Sequence, residues 1–161
     1  MKQDRFLVGI LIFIGLLVVA AVVLFLVRSE SPAYVAEDTP QGVIRNYVVA
    51  LQRQDYERAY SYLADQPYKP TYDNFVSAYM TRQLDIGSSV LETGDAQTQS
   101  GTRVYVSVTI VYGSSGLFDS GWSSSDRATL VQQAGAWKLT YLPYPYWGWD
   151  WYTPTPAPIK R

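Results

Sequence analysis

The chain has 161 residues, with 13 Lys+Arg, 14 Asp+Glu, no His and no Cys, so its formal net charge is −1. Without Cys there is no disulfide framework or thiol nucleophile, and without His there is no Ser-His-Asp triad or imidazole metal ligand. The near-neutral charge also argues against a nucleic-acid partner, because nucleic-acid binders usually carry a basic excess. We therefore assign no catalytic, cofactor-binding or metal-binding residue from the sequence.

A long apolar run lies near the beginning of the chain. From Phe6 to Val27, 22 consecutive residues carry no charge and no strongly polar side chain. A helix of that length rises about 33 Å, and the hydrocarbon core of a bilayer is about 30 Å thick. A cleaved signal peptide has a shorter apolar region, of roughly 7–15 residues. We therefore predict a transmembrane helix over 6–27.

The charges beside this run predict its orientation. Lys2 and Arg5 precede it, and Arg28 follows it directly. The positive-inside rule then favours a cytoplasmic segment over 1–5 and an extracytoplasmic C-terminal domain. The predicted localisation is the cell membrane, with a single pass and a signal anchor, and the membrane itself is one predicted partner. Residues 28–38 are interpreted as a linker.

Three helices are predicted after the linker. Asp38 or Thr39 can cap a helix that begins at Pro40, because Pro is tolerated in a first helical turn. A second, short helix follows Asp55, and Thr71 can cap a third. Tyrosines recur on these helices at spacings that predict packing in or beside the core: Tyr47, Tyr56, Tyr60, Tyr62 and Tyr79.

The hydrophobic period then changes from about 3.6 to 2, which indicates strands. The predicted segments are a weak strand over 88–93, a polar turn over 94–101, a strong strand over 103–112, a Gly/Ser-rich loop over 113–125 and a hairpin of 127–133 with 136–142. The hairpin turns at Ala134-Gly135. Helices followed by an antiparallel sheet predict an α+β fold, with the helices on one face of a curved sheet.

These segments resemble the NTF2-like (cystatin-like α+β) superfamily over about 39–142. The resemblance rests on Thr39-Pro40 opening a long helix, on the run Gln54–Tyr60, on the Val-rich strand and on the late run Gly135–Leu139. It is closest in kind to small exported, membrane-attached domains of undescribed function. The resemblance implies helices inside a curved sheet that forms a cone, whose open end can hold a ligand. It identifies no catalytic residue.

The tail over 143–161 is the second unusual segment. Seven aromatic residues lie among the 12 residues from Tyr141 to Tyr152, and several Pro residues interrupt and follow them. In an extended chain, alternate positions share one side, so the three Trp of this segment are expected to form a row. The predicted contact residues for a partner or ligand are Tyr144, Tyr146, Trp147, Trp149, Trp151 and Tyr152.

Three roles remain open for this tail. It folds back over the sheet or the mouth of the cone, it docks onto a partner protein, or it lies on a membrane surface or binds glycans. Aromatic residues concentrate in binding hot spots and at membrane interfaces, which supports the second and third roles. Seven exposed aromatics without a partner would promote aggregation, so some cover is expected.

The sequence therefore favours a membrane-anchored, extracytoplasmic NTF2-like domain that acts as a non-catalytic interaction or assembly module. It would serve, for example, as an accessory subunit of a membrane protein complex, with a protein as its partner and without a cofactor. One alternative is a small-molecule binding protein, or less readily an isomerase, that uses the cone pocket. Another is a cell-wall or glycan binder that uses the Trp row.

Overall fold

The structure is a computed structural model, and it describes residues 5–28, 32–113 and 121–154. The chain divides into two compact units, Met1–Pro32 and Ala33–Arg161. The first unit contains α1 (Arg5–Arg28), and the second contains α2 (Pro40–Gln52), α3 (Tyr56–Ser61), α4 (Tyr72–Met80), β1 (Ser89–Ser100), β2 (Arg103–Tyr112), β3 (Ser123–Gln133) and β4 (Ala136–Tyr141). This is an α+β arrangement with helices before strands. Parts of the predicted linker, Gly/Ser loop and tail, at 29–31, 114–120 and 155–161, lie outside the described residues, as does 1–4.

Helix α1 forms the first unit, and its side chains are described from Val8 to Leu24. In the described parts of the chain, no helix has the length and apolar character that a membrane crossing requires. This finding corrects the predicted transmembrane helix over 6–27. It also corrects the signal anchor, the single-pass membrane localisation and the membrane as a partner.

Helix α2 begins where its capping residues predict. The Thr39 Oγ1 accepts a hydrogen bond from the Gly42 N–H at 3.1 Å, and Pro40 occupies a first-turn position that needs no N–H donor. A side chain at Gly42 would collide with the carbonyl oxygen of Ala36, so the chain entering the helix packs closely on its first turn. The predicted cap of α4, Thr71, is confirmed in the same way, and Asp55, which the sequence placed just before the second helix, caps α3.

The segment before α2 is held by a buried asparagine. The side-chain amide of Asn46 accepts from the Val35 N–H and donates to the Val35 carbonyl, each at 2.8 Å. Beside it, the Glu37 carboxylate accepts from the Tyr62 hydroxyl at 2.6 Å and lies 3.0 Å from the Arg58 guanidinium. These hydrogen bonds lower the pKa of Glu37. They fasten the entering chain to α2 and α3.

The four strands form one antiparallel sheet in the order β1-β2-β3-β4. Strand β2 confirms the prediction for 103–112: alternate residues Val104, Val106, Val108 and Ile110 are buried. This apolar face packs against α2 and joins a core that also includes Ala128, Leu130 and Leu139 from β3 and β4. Helix α2 therefore covers one face of the sheet, and α3 and α4 contribute to the same core.

Two strands are longer than their sequences suggest. Strand β1 continues through the residues predicted as a polar turn, and Ala96 pairs with Val106 after a register shift at Gly94 and Asp95. The ladder to β2 satisfies the main chain there, which outweighs the low strand propensity of a polar run. Strand β3 begins at Ser123, inside the predicted Gly/Ser loop, for the same reason.

A parallel bridge joins the chain after α3 to the edge strand β4. The Leu139 N–H donates to the Tyr62 carbonyl, and the Ala64 N–H donates to the Leu139 carbonyl, both at 2.8 Å. The main chain around Leu63 and Ala64 is therefore fixed against the sheet. This fixed segment later receives the end of the aromatic tail.

The turn between β3 and β4 offers a test of the local backbone. Ala134 and Gly135 have φ values of 50° and 81°, the left-handed region that a two-residue hairpin turn requires at both central positions. Asn adopts this region more readily than Ala. We expect Ala134→Asn to raise the free energy of unfolding by about 0.5–1 kcal/mol, measured by thermal unfolding with circular dichroism.

The matched control is Ala136→Asn, which places the same side chain in β4 instead of the turn. Strands disfavour Asn, so this variant should be no more stable than the parent protein. Equal stabilisation by both variants, or destabilisation by Ala134→Asn, would contradict the claim that the left-handed backbone at position 134 disfavours Ala relative to Asn.

Candidate functional site

Residues 143–154 fold into successive turns and not into an extended chain. The Tyr146 N–H donates to the Pro143 carbonyl at 3.1 Å, and the Trp151 N–H donates to the Gly148 carbonyl at 3.3 Å. Alternate side chains therefore do not share one side. The expected row of three indoles is wrong, because the turns redirect the chain between one Trp and the next.

The turns separate the six predicted contact residues by exposure. Tyr146, Trp147 and Trp151 are buried in the core, Tyr152 is half-buried, and Tyr144 and Trp149 are 60% and 83% exposed. The indoles of Trp147 and Trp151 meet edge to face at 5.1 Å. The first half of the tail is thus part of the core, and only two of the six residues present most of their surface to solvent.

The main chain of the tail is anchored by two helical tyrosines. The Tyr146 carbonyl accepts hydrogen bonds from the hydroxyls of Tyr47 and Tyr79, each at 2.9 Å, and these hydroxyl oxygens lie 2.9 Å apart. The phenol of Tyr146 in turn donates to the Ser89 carbonyl at 3.0 Å. Tyr146 therefore connects α2, α4 and β1 from inside the core.

Burial keeps these phenols neutral. Desolvation raises the pKa of Tyr47 well above its ordinary value of 10.0, and it also raises the pKa of Tyr79. Neutral phenols donate and accept hydrogen bonds but do not act as bases near neutral pH. The predicted packing in or beside the core is confirmed: Tyr47, Tyr62 and Tyr79 lie in the core, and Tyr56 and Tyr60 pack at its edge.

Tyr152 fastens the end of the described tail. Its hydroxyl donates to the Ala64 carbonyl at 2.5 Å, and its N–H donates to the Tyr68 carbonyl at 3.0 Å. Its ring stacks on Trp147 with centroids 5.8 Å apart and planes 13° apart. The tail is thereby attached to the segment after α3 that the parallel bridge already fixes.

Gly148 has a steric role between the two halves of the tail. A Cβ at this position would lie 2.6 Å from Cε2 of the Trp151 indole, so the ring packs directly on the main chain there. The Phe75 ring also packs on the Trp151 indole, with the two ring centroids 5.3 Å apart. Trp151 is therefore held tightly, and the neighbouring Trp149 is carried on a rigid turn.

The exposed aromatic residues border a cavity of about 430 Å³, which we call the aromatic groove. Its exposed aromatic side chains are Tyr141, Tyr144 and Trp149, and its one charged residue is Asp150. The complete lining is Ala78, Gln83, Leu84, Tyr141, Leu142, Tyr144, Trp147, Gly148, Trp149, Asp150, Trp151 and Thr153.

A second cavity of about 470 Å³ adjoins the aromatic groove, and we call it the polar groove. The two share Ala78, Gln83, Asp150, Trp151 and Thr153, and the polar groove adds Tyr68, Lys69, Pro70, Thr71, Asn74 and Ser77. The Lys69 ammonium lies 3.3 Å from an Asp65 carboxylate oxygen and 4.5 Å from the centre of the Tyr60 ring. Its charge is therefore already engaged within the protein.

Eight of the twelve residues that line the aromatic groove were not among the predicted contact residues, and three of these eight lie far from the tail in sequence. Ala78 lies on α4, and Gln83 and Leu84 follow that helix, whereas the predicted contact residues all lie after position 143. Ala78 and Leu84 have the apolar character of ordinary core positions, so nothing in the local sequence distinguishes them. Only the docking of the tail on α4 brings them beside Trp149.

The aromatic groove differs from the rest of the fold in its mainly apolar lining. Over the described ranges, no group of three or more His, Cys, Asp and Glu is placed to hold a metal ion. Each buried side-chain nitrogen or oxygen in the same ranges has a hydrogen-bond partner. The polar groups are thus used in holding the fold, and the aromatic groove offers mainly apolar surface with a few polar side chains at its border.

The chain matches no protein-family model and no curated protein. Among solved structures it is similar to a SEC-C motif-containing protein from Rhodopseudomonas palustris, determined in solution. The similarity has 14% sequence identity and a TM-score of 0.47, and it covers 66% of this chain and 79% of that chain. At that level it carries no functional argument.

These findings correct the predicted NTF2-like membership. No family model supports it. The NTF2-like cone with an open end is withdrawn with it. What stands is an α+β fold with a four-stranded antiparallel sheet and the helices given above.

The Tyr146 carbonyl provides a test of how the tail is held. Tyr47→Phe or Tyr79→Phe alone leaves one phenol donating to this carbonyl, so each should cost about 1 kcal/mol of unfolding free energy. The double variant leaves a buried carbonyl without either donor and should cost more than the sum of the two. Urea unfolding of the four proteins measures this coupling.

Tyr144→Phe is the matched control, because its ring is mostly exposed, and it should change stability by less than about 0.5 kcal/mol. Strict additivity of the two core substitutions would contradict the shared role of Tyr47 and Tyr79.

The raised pKa values also predict a pH dependence of stability. The neutral phenols of Tyr47 and Tyr79 are favoured by folding, so their contribution is complete below the unfolded-state pKa of about 10. Above that pH the unfolded chain loses protons that the folded chain retains, and stability falls. We expect the urea midpoint to decline above about pH 10, and to decline less in Tyr79→Phe. If the urea midpoint declined equally steeply with pH in both proteins, the buried phenol of Tyr79 would not be a cause of the decline.

Proposed function

We propose that the unit over 33–161 is a non-catalytic interaction module that binds a partner protein through the aromatic groove. The observation that carries this proposal is the 83% exposure of Trp149 beside an apolar groove, between two Trp that are buried. Trp is among the residues most enriched at the energetic centres of protein interfaces.

The exposed surface around Trp149 is larger than one side chain. Tyr144 and Tyr141 are 60% and 42% exposed, and all three border the same groove. Single exposed apolar residues are common on proteins, but clustered ones mark binding sites. Covering them with a partner removes apolar surface from water, which favours association.

The groove is also held in place before any partner arrives. Trp151 packs on the main chain of Gly148, and the Tyr146 carbonyl is fixed by two buried phenols. A preformed surface loses little conformational freedom on binding, so more of the contact energy contributes to affinity. This rigidity supports a binding role for the tail.

A second candidate is glycan binding, and it is favoured by the polar groove beside Trp149. Amide side chains such as Asn74 and Gln83 can form hydrogen bonds with sugar hydroxyls while an aromatic face stacks on the sugar ring. The Trp row that first suggested this role is reduced to one exposed indole. The interior that a cone-pocket ligand would need is filled by Tyr47, Phe75 and Tyr146, all fully buried. We therefore place protein binding first.

Site-specific photo-cross-linking in cells tests the proposal. A photoreactive phenylalanine analogue in place of Tyr144 should give a discrete cross-linked protein, because this side chain lies on the groove and is exposed. Adding Trp149→Ala should reduce the cross-linked yield at least about tenfold, as expected when a hot-spot residue is removed.

The matched control places the same analogue at Val90, which is exposed on β1 and does not line the aromatic groove. Thermal unfolding should show that Trp149→Ala keeps the fold, with a change below about 0.5 kcal/mol for so exposed a residue. Equal yields from the two positions, or a yield that ignores Trp149, would refute the proposal.

A further inference from the structure

Resting on the proposed function, we infer that the aromatic groove binds an extended, proline-containing peptide segment that carries a basic side chain. The inference concerns the partner's chemistry, and it follows from which groups line the groove and from its charge.

The lining of the groove suits a peptide that is already extended before it binds. Of the twelve lining residues, Tyr141 at the end of β4 is the one that belongs to a strand, so the groove presents side chains from several elements and no row of strand main-chain groups. Strand addition needs a row of unpaired main-chain groups. A proline-containing segment needs no such row, because its extended helix forms without internal hydrogen bonds.

The aromatic border suits proline rings. Tyr141, Tyr144 and Trp149 border apolar floor residues such as Leu84 and Leu142, and proline-rich segments dock in grooves lined by aromatic side chains. The Trp149 indole N–H and the Tyr144 hydroxyl are also donors, whereas the Tyr141 hydroxyl already donates to the Asp126 carboxylate. They can serve the peptide carbonyls, which an extended proline helix leaves free.

The charge of the groove determines which charged residue is favoured beside the prolines of the peptide. Asp150 is the one charged residue that lines it, and Asp150 is exposed. In the described part of the chain, the two salt bridges join other residues, Arg58 with Glu37 and Lys69 with Asp65. The carboxylate of Asp150 therefore favours a Lys or Arg on the peptide and disfavours an acidic one.

Isothermal titration of the full chain with a synthetic polyproline peptide ending in two arginines tests the inference. We expect binding that weakens at least about tenfold in Trp149→Ala. Asp150→Asn should weaken it about two- to fivefold, the range for an exposed ion pair, and should abolish the preference for arginine over glutamate at the peptide end. Trp149→Phe should bind the peptide more tightly than Trp149→Ala does, because it keeps an aromatic ring at this position.

Two control ligands and the cross-linking result decide the outcome. A peptide with the prolines replaced by glycine and serine keeps the charge, and binding of equal strength would overturn the inference. A neutral β-linked glucose or N-acetylglucosamine hexasaccharide that binds more tightly than the peptide would also overturn it, in favour of glycans. If the peptide fails while Trp149-dependent cross-linking persists, the peptide chemistry is wrong and the interaction module stands. If both fail, both proposals fall.

Discussion

The carbonyl oxygen of Tyr146 lies in the core between the hydroxyls of Tyr47 and Tyr79, and it accepts a hydrogen bond from each. A buried carbonyl must be hydrogen-bonded, because leaving it without a partner costs about 1–3 kcal/mol. The two phenols can meet it only when the tail enters between α2 and α4. This constraint brings Tyr146 and Trp147 into the core and gives the chain after β4 a defined path.

The path of the tail determines what the surface offers. Once Tyr146 and Trp147 are buried, the turn at Gly148 places Trp151 on the main chain and against Phe75. Trp149, between them, is then left outside. The same packing that stabilises the domain thus creates an exposed indole on a rigid support, which is the feature a binding site needs.

The tyrosines divide their roles between fold and surface. Tyr47, Tyr79 and Tyr146 use their hydroxyls inside the core, where burial raises the pKa of each and keeps it neutral. Tyr141 and Tyr144 expose their rings along the aromatic groove. An aromatic residue suits both places, because it combines a large apolar surface with a polar tip.

The sequence by itself determined the features that depend on near neighbours. Thr39 and Pro40 begin α2, the alternating apolar residues of β2 face the core, and Ala134-Gly135 turns the last hairpin, because each signal acts within a few residues. Only the tertiary structure decided the length of β1, which its ladder with β2 extends, and the exposure of each residue in the tail. Both features depend on contacts with residues up to about a hundred positions away, such as the contact of Tyr47 with Tyr146. A run of aromatic residues has the same sequence pattern whether its rings are buried or exposed.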